Sequence, residues 1–242
     1  DYKGGIIFFV DGYYYLFVKC HYDEEYINQL VIICSQLQLK NIQLHEFIYN
    51  KEGKLLSDSF VLFRIHVFID STISFNDVLL FANVDCNAYK KNYIFMDKFW
   101  EDKIDYLEMQ LSELSDNKLI NNSFDYYVGI GEILIAYLRK NYDKSSIDLR
   151  LSHKCLNCLD SIEYYNPLNI SFDLFYKDIA SYIRLTKDED LLMNMIERIN
   201  EKDKGYFFVR MVFPFTYFYE ISDILIDGKE SDKLIDVINH VT

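Results

Sequence analysis

The hydrophobic pattern of this chain changes once, near residue 70, and that change constrains the fold more than any other feature. Before it, apolar residues stand in short runs broken by turn residues. Gly5–Val10 and Tyr13–Lys19 flank an Asp-Gly dipeptide, which predicts a β-hairpin. After it, apolar residues recur at steps of three and four, as in helices. The sequence therefore predicts an α+β protein with a β-rich part at 1–70 and a mainly helical part at 71–242.

The same patterns predict the individual elements. Asp23 can cap the first turn of the first predicted helix. We expect Pro214 to bend the longest apolar helix without ending it. The predicted elements are a helix from Asp23 to about Leu39, a second hairpin of Leu44–Tyr49 with Ser59–His66, helices at Phe75–Val84, Met96–Leu114, Phe124–Asn141, Tyr176–Leu185, Glu189–Asn200, Tyr206–Ile226 and Asp232–Val241, and short strands at Asp148–Ser152 and Asn169–Phe172.

The charge balance and the cysteines limit the partners and the compartment. Acidic side chains outnumber basic ones by 38 to 25, for a formal net charge of −13. Such a surface repels phosphate backbones and anionic lipids, so nucleic-acid and membrane partners are disfavoured. The longest apolar stretch, Tyr206–Tyr219, is interrupted by Arg210 and is too short to span a bilayer. Five cysteines without framework spacing, and no recognisable signal peptide, predict a reduced, cytoplasmic protein with an unknown protein or small-molecule partner.

Two local patterns contain residues that are candidates for binding or catalysis. Tyr15–Lys19 is an apolar strand that ends in a lysine, directly before a helix with Glu24 in its first turn. Far along the chain, Leu149–Asn157 follows a long predicted helix and contains His153 and Cys155.

In this order, the patterns resemble the protein-kinase-like superfamily, in the branch of aminoglycoside phosphotransferases and spore-coat kinase-like proteins. The resemblance implies a two-lobed fold, with a small antiparallel β-sheet lobe carrying one helix and a larger helical lobe after it. It also implies that Lys19, with Glu24 or the adjacent Glu25 as its partner, would contact the phosphates of ATP. Asp160 and Asp173 would be the Mg²⁺ ligands, and Asp178 would hold the catalytic loop by hydrogen bonds.

The catalytic loop departs from the family pattern, which reads His-Gly-Asp, four residues, then Asn. His153 is retained, but Lys154 stands at the glycine position. Cys155 stands at the position of the catalytic Asp, and Asp160 at that of the Asn. A cysteine is a poor replacement for the carboxylate that orients the acceptor hydroxyl, whereas Asp160 retains an oxygen ligand for Mg²⁺.

The metal-site strand and the phosphate loop depart as well. The metal-site carboxylate is Asp173 in one alignment, while Ser171 takes that position in another. Only four residues separate Asp173 from Asp178, far fewer than in an active relative. No glycine-rich phosphate loop occurs in the sequence.

These departures leave three functional hypotheses open. The first is a degenerate kinase-like protein, a pseudokinase, that serves as a binding or scaffolding module and holds ATP and Mg²⁺ weakly if at all. The second is an active small-molecule phosphotransferase with an atypical catalytic loop. The third is a metal-binding or structural cytosolic protein of another fold, because His153, Cys155 and Cys158 have the spacing of one zinc knuckle, although no second knuckle accompanies them.

Overall fold

An antiparallel sheet forms at the start of the chain, in the computed structural model that describes residues 5–113, 118–143, 147–227 and 232–239. Its strands are β1 (Gly5–Val10), β2 (Tyr13–Lys19), β3 (Glu46–Phe47), β4 (Leu56–Ser57) and β5 (Phe60–Arg64). The strand order is β1–β2–β5–β3, and β4 also pairs with β5. Asp11 and Gly12 both have positive φ angles, 51° and 85°, which a tight two-residue hairpin turn requires. The first predicted hairpin is therefore confirmed.

The second hairpin is shorter than predicted. Strand β3 covers only Glu46–Phe47 of the expected strand Leu44–Tyr49, and Ile48 adds one hydrogen bond from its N–H to the carbonyl of Leu62 in β5, at 2.9 Å. The chain beyond it turns at Asn50, whose side chain accepts hydrogen bonds from the backbone N–H groups of Glu52 and Lys54, both at 2.9 Å. This local hydrogen bonding competes with strand pairing and ends the strand early.

The first helix, α1 (Glu24–Gln38), covers one face of this sheet. Asp23 caps it, since its side chain accepts a hydrogen bond of 2.8 Å from the backbone N–H of Tyr26. Ile27 and Leu30 of α1 join a buried cluster with the sheet residues Leu16 and Phe63. The helix lies where the sequence predicted it.

A second, two-stranded sheet carries the candidate loop. Its elements are β6 (Leu149–His153), the short helix α5 (Ser161–Tyr164), β7 (Ile170–Leu174) and the following helix α6 (Tyr176–Thr186). Strands β6 and β7 pair antiparallel from Leu149↔Leu174 to His153↔Ile170. The helix α2 (Phe75–Ala82) packs against β6 and α6. The end of β6 and the start of α6 therefore lie next to each other, adjacent to the loop that follows β6.

The remaining α-helices of the described chain contain several pairs of packed aromatic side chains. They are α3 (Met96–Glu113), α4 (Lys118–Asn141), α7 (Glu189–Arg198), α8 (Glu201–Val212), α9 (Phe215–Asp227) and α10 (Asp232–Asn239). Helix α3 packs on α4 and α9, and α8 packs on α4. The predicted ends at Leu114 and Val241 lie outside the described residues.

The single helix predicted for Tyr206–Ile226 is wrong, because two helices, α8 and α9, cover this region. The break lies at Phe213, which has φ −57° and ψ 130°. Pro214 follows it, has no backbone N–H, and disfavours helical geometry in the residue before it. The proline ends one helix and the next begins after it.

Contacts divide the chain into two compact units. One contains Asp1–Lys90 with Asp148–Lys187, and the other contains Lys91–Ile147 with Asp188–Thr242. The first holds both sheets and the loop after β6. The predicted boundary at residue 70 concerns the order of strands and helices, and it stays a prediction.

Among the described residues, no helix has the length and hydropathy needed to cross a lipid bilayer.

Candidate functional site

Asp178, in the first turn of α6, organises the end of β6. It is 3% exposed. Its Oδ1 accepts a hydrogen bond of 2.9 Å from the Ser152 hydroxyl. Its Oδ2 accepts from the backbone N–H of His153 at 3.1 Å and lies 2.7 Å from Nδ1 of the same residue. Asp178 therefore has the loop-holding role that the resemblance implied.

His153 carries a positive charge in this arrangement. Its Nε2 lies 2.8 Å from the carbonyl oxygen of Tyr164, which can only accept, so Nε2 bears a hydrogen. Burial alone would raise the pKa of the Asp178 carboxyl, but the charges of His153 and Lys177 and the hydrogen bonds from His153 and Ser152 together hold that pKa below its usual range. An ionised carboxylate only accepts, so Nδ1 bears a hydrogen as well. The fully buried His153 is an imidazolium, and the ring of Phe81 stacks on it with centroids 5.1 Å apart.

In this geometry His153 can act neither as a zinc ligand nor as a base for Cys155. Both ring nitrogens are engaged, so the ring has no lone pair for a zinc ion or for accepting a proton from Cys155. The structure therefore does not combine His153, Cys155 and Cys158 into the suggested zinc knuckle. In the part of the chain that the structure describes, no group of three His, Cys, Asp or Glu side chains is placed to hold a metal ion.

Lys154, at the family's glycine position, joins the loop to the residues around the start of α1. Its Nζ donates to the hydroxyl of Tyr22 at 2.6 Å and to the carbonyl of Leu168 at 2.8 Å. The same Nζ lies 4.1 Å from the ring centroid of Tyr22 and 5.1 Å from that of Tyr26. A glycine could make none of these contacts, so Lys154 adds a fixed link that the family pattern lacks.

Cys155, at the position of the catalytic Asp, is held by its backbone. Its N–H donates to Oδ1 of Asn169 at 3.3 Å, and its carbonyl accepts from Nδ2 of the same side chain at 3.1 Å. The residue is half-buried. Asn169 stands just before β7, and no sequence pattern identified it.

Asp173, the candidate metal ligand on β7, is paired with a buried lysine. Its Oδ2 lies 3.3 Å from Nζ of Lys177, and its Oδ1 accepts from the backbone N–H of Leu174 at 2.8 Å. Nζ of Lys177 also donates to the carbonyl of His153 at 2.5 Å and to the hydroxyl of Ser171 at 3.3 Å. A protein cation is therefore paired with the carboxylate that the resemblance assigned to a metal ion.

Asp160, the second candidate metal ligand, caps the short helix α5. Its Oδ1 accepts a hydrogen bond of 2.8 Å from the backbone N–H of Ile162. The residue also forms an isolated bridge to Thr72. At least one of its carboxylate oxygens thus has a structural partner.

Lys19 and Glu24 do not form the predicted ion pair. Both side chains are exposed, Lys19 at the end of β2 and Glu24 in the first turn of α1. Neither takes part in an ion pair with any residue that the structure describes.

The structure thus brings together His153, Asp178, Lys177 and Asp173, of which Lys177 was missed. Its spacing of four residues from Asp173 was a usable signal, although the pair crosses from a strand into a helix. The positioned groups are a buried imidazolium, a buried ammonium and two carboxylates that neutralise them. This set can hold a loop in place and has no free base.

The comparisons with known proteins identify the fold. No protein-family model and no curated protein matches the sequence. Solved structures do match, each at 11% identity. An aminoglycoside phosphotransferase from Alicyclobacillus acidocaldarius matches with a TM-score of 0.56 over 99% of this chain and 85% of that chain. The phosphotransferase APH(2'')-Ib, bound to ADP, matches with a TM-score of 0.55 over 99% and 89%. APH(2'')-IIa in complex with streptomycin and ATP matches with a TM-score of 0.54 over 99% and 88%.

The chain accordingly has the protein-kinase-like fold in the form found in aminoglycoside phosphotransferases. The predicted α+β class, with a small antiparallel sheet and a larger helical part, is confirmed. The hypothesis of an unrelated fold is wrong.

Proposed function

We propose that this protein is a degenerate kinase-like protein, which serves as a binding or scaffolding module and does not transfer phosphate. The ion pair between Asp173 and Lys177 carries this proposal. In a kinase, the corresponding carboxylate holds Mg²⁺ against the ATP phosphates. A carboxylate that is already neutralised has little remaining attraction for a second cation.

Electrostatics support this interpretation of Asp173. A Mg²⁺ ion binds a carboxylate oxygen at about 2.0–2.1 Å, which would place it within a few ångströms of Nζ of Lys177. Both groups are largely buried, so water screens their repulsion poorly. Binding the metal would require the ammonium to leave its three oxygen partners.

The loop supports the same conclusion. Cys155 stands where the family has the carboxylate that orients the acceptor hydroxyl, and His153 has no nitrogen lone pair to replace it. The remaining candidates for a nucleotide are Lys19, Glu24 and Asp160. Lys19 is exposed and is not held by Glu24, so it would meet the phosphates of ATP as a mobile point charge. We therefore expect weak nucleotide affinity at most.

The partner in this proposal is another protein or a small molecule, and the compartment is the cytoplasm. The described cysteines are free thiols, in keeping with a reducing environment. The net charge of −13 argues against a nucleic-acid partner.

The test is ADP formation from ATP in the presence of Mg²⁺, measured for the wild type and for Asp173→Asn. We expect no turnover above the enzyme-free background in either protein. Mg²⁺-dependent turnover that Asp173→Asn abolishes would overturn the proposal and establish the alternative, an active small-molecule phosphotransferase with an atypical loop.

A further inference from the structure

Arg210, on α8, is a buried cation surrounded by aromatic rings. The residue is 7% exposed. Its guanidinium carbon lies 4.6 Å from the ring centroid of Phe215 and 5.6 Å from that of Trp100. Trp100 in turn stacks on Phe213, with ring centroids 3.9 Å apart. We call this set, Arg210 with Trp100, Phe213 and Phe215, the aromatic box.

No acidic side chain accompanies Arg210 among the described residues. Its Nε is buried without a hydrogen-bond acceptor, and the guanidinium forms no ion pair within the described ranges. Two other arginines also have a buried, unbonded Nε, but their terminal nitrogens pair with carboxylates. These pairs are Arg64 with Glu46 and Arg150 with Asp148.

The neighbouring arginine of the same unit shows the opposite arrangement. The side chain of Arg139 is 41% exposed, yet it binds two carboxylates, those of Asp97 and Glu101. Desolvation costs a buried charge far more than an exposed one. The buried Arg210 therefore lacks, among the described residues, the acidic partners that the more exposed Arg139 has.

We propose that the aromatic box is a binding site for a carboxylate, which pairs with Arg210. A guanidinium is a permanent cation in proteins, so burying it without a negative partner is costly. Fixed, buried, unpaired charges are rare in native proteins because an ion or ligand usually compensates them. This inference does not depend on the proposed function.

The surroundings of Arg210 favour a carboxylate over a phosphate. Aromatic rings lie near the guanidinium, so a planar ligand approaching its edge fits better than a tetrahedral one. A single guanidinium also neutralises one carboxylate completely, whereas a phosphate dianion would keep an excess negative charge in a chain with net charge −13. The low exposure requires the carboxylate to come from a small molecule or from a slender chain terminus.

The single tryptophan of the chain, Trp100, reports on this site directly. The test is a titration with sodium acetate followed by tryptophan fluorescence, with sodium chloride and sodium phosphate at matched ionic strength. We expect a saturable change with acetate alone, half-complete on the order of 10 mM, as for one bidentate charged contact. Arg210→Met should abolish this change, while Arg198→Met, which removes an exposed arginine, should retain it.

The source of the carboxylate is distinguished by repeating the titration with N-acetyl-diglycine, which presents a peptide carboxyl terminus. A response to acetate alone assigns the site to a small molecule, and a tighter response to the peptide assigns it to a chain terminus. If neither produces a change beyond that of chloride, or if Arg210→Met keeps the response, the proposal is overturned.

A second measurement tests the missing partner and does not require a ligand. In chloride buffer, Arg210→Met replaces an uncompensated buried charge with an apolar side chain, which is stabilising in such cases. We expect the melting temperature to rise by about 3 °C. A fall of that size would show that Arg210 has a stabilising partner within the protein, and it would contradict the proposal.

Discussion

Lys177 and Arg210 are both buried cations, with 9% and 7% of their surfaces exposed, but their surroundings differ completely. Lys177 has a carboxylate, a carbonyl and a hydroxyl as partners, whereas Arg210 has aromatic rings. The first charge is neutralised by its own chain and fixes a loop. The second is not neutralised by any described residue. A buried charge therefore indicates a binding site only when the protein leaves it uncompensated.

The strongest way to disrupt the compensated charges of the loop is Asp178→Asn. The change removes the negative charge opposite the buried His153 imidazolium while keeping the shape of the side chain. We expect the free energy of unfolding to fall by about 4 kcal/mol, as for other broken buried ion pairs, measured by urea denaturation. The control, Asp102→Asn, removes an acid that pairs with Lys98 on the surface, and it should leave the midpoint unchanged. If Asp178→Asn left the midpoint as little changed as Asp102→Asn does, a buried ion pair between Asp178 and His153 would be contradicted.

Lys177→Met tests the second charge of the loop. It removes the ammonium that pairs with the buried carboxylate of Asp173, so we expect a loss of about 3 kcal/mol in urea denaturation. Lys98→Met is a matched control because Lys98 also pairs with an aspartate four residues away, at the surface. Our proposal is that the ammonium of Lys177 keeps a metal ion from Asp173, so we expect 10 mM Mg²⁺ to recover part of the loss in the Lys177 variant and to have no effect on the wild type. Equal effects of Mg²⁺ on both proteins would contradict this exclusion.

His45 sharpens the comparison, because it is a buried histidine without an acid partner. Burial lowers its pKa to about 4, although a hydrogen bond from Nε2 to the carbonyl of Ile162 and the charge of Asp160 act in the other direction. Between pH 6.5 and 4 the unfolded chain binds a proton at this residue that the folded chain does not bind. Stability therefore falls as the pH falls through this window, by about 2–3 kcal/mol.

The measurement is urea denaturation at pH 7, 5.5 and 4.5 for the wild type and for His45→Gln. The variant should lose most of the pH dependence in this window, apart from the smaller contribution of His66, whose pKa burial also lowers. Identical slopes in the two proteins would show that His45 is protonated in the folded state.

The smallest effect is expected for Lys154, whose partners surround it at the surface. Lys154→Met removes the hydrogen bonds to Tyr22 and Leu168 and the contact with the aromatic rings, and should cost about 1 kcal/mol. Combined with Tyr22→Phe in a double-mutant cycle, the loss should be less than the sum of the single losses. Strict additivity would mean that the contact does not contribute.

Much of the fold was predictable because local chemistry and tertiary structure agree. The Asp-Gly turn and the Asp23 cap predicted their elements correctly, whereas the helical period placed the start of α4 at Phe124 and the structure places it at Lys118. The break between α8 and α9 was not predicted, because a proline can either bend or end a helix, and packing decides which. The length of strand β3 was overestimated, because the hydrogen bonds to the Asn50 side chain compete with pairing to β5.

Only those site residues that belong to the sequence pattern of the family could be predicted. His153 and Asp178 followed from the resemblance, and the structure joins them. The pairing of Asp173 with Lys177 was missed although the two residues are four apart, because that spacing usually indicates a pair within one helix and this pair crosses from a strand into a helix. Arg210 was visible only as an interruption of an apolar stretch, and whether an acid faces it is a tertiary property.

The decisive measurement is the melting temperature of the wild type with ATP, in EDTA and in excess Mg²⁺. Because the ammonium of Lys177 pairs with Asp173, we predict that ATP raises the melting temperature by at most a few degrees. This shift should be the same with and without Mg²⁺, and Lys19→Ala should reduce it. A larger shift that requires Mg²⁺ and disappears in Asp173→Asn would contradict the neutralisation of Asp173 by Lys177 and show a working metal–nucleotide site.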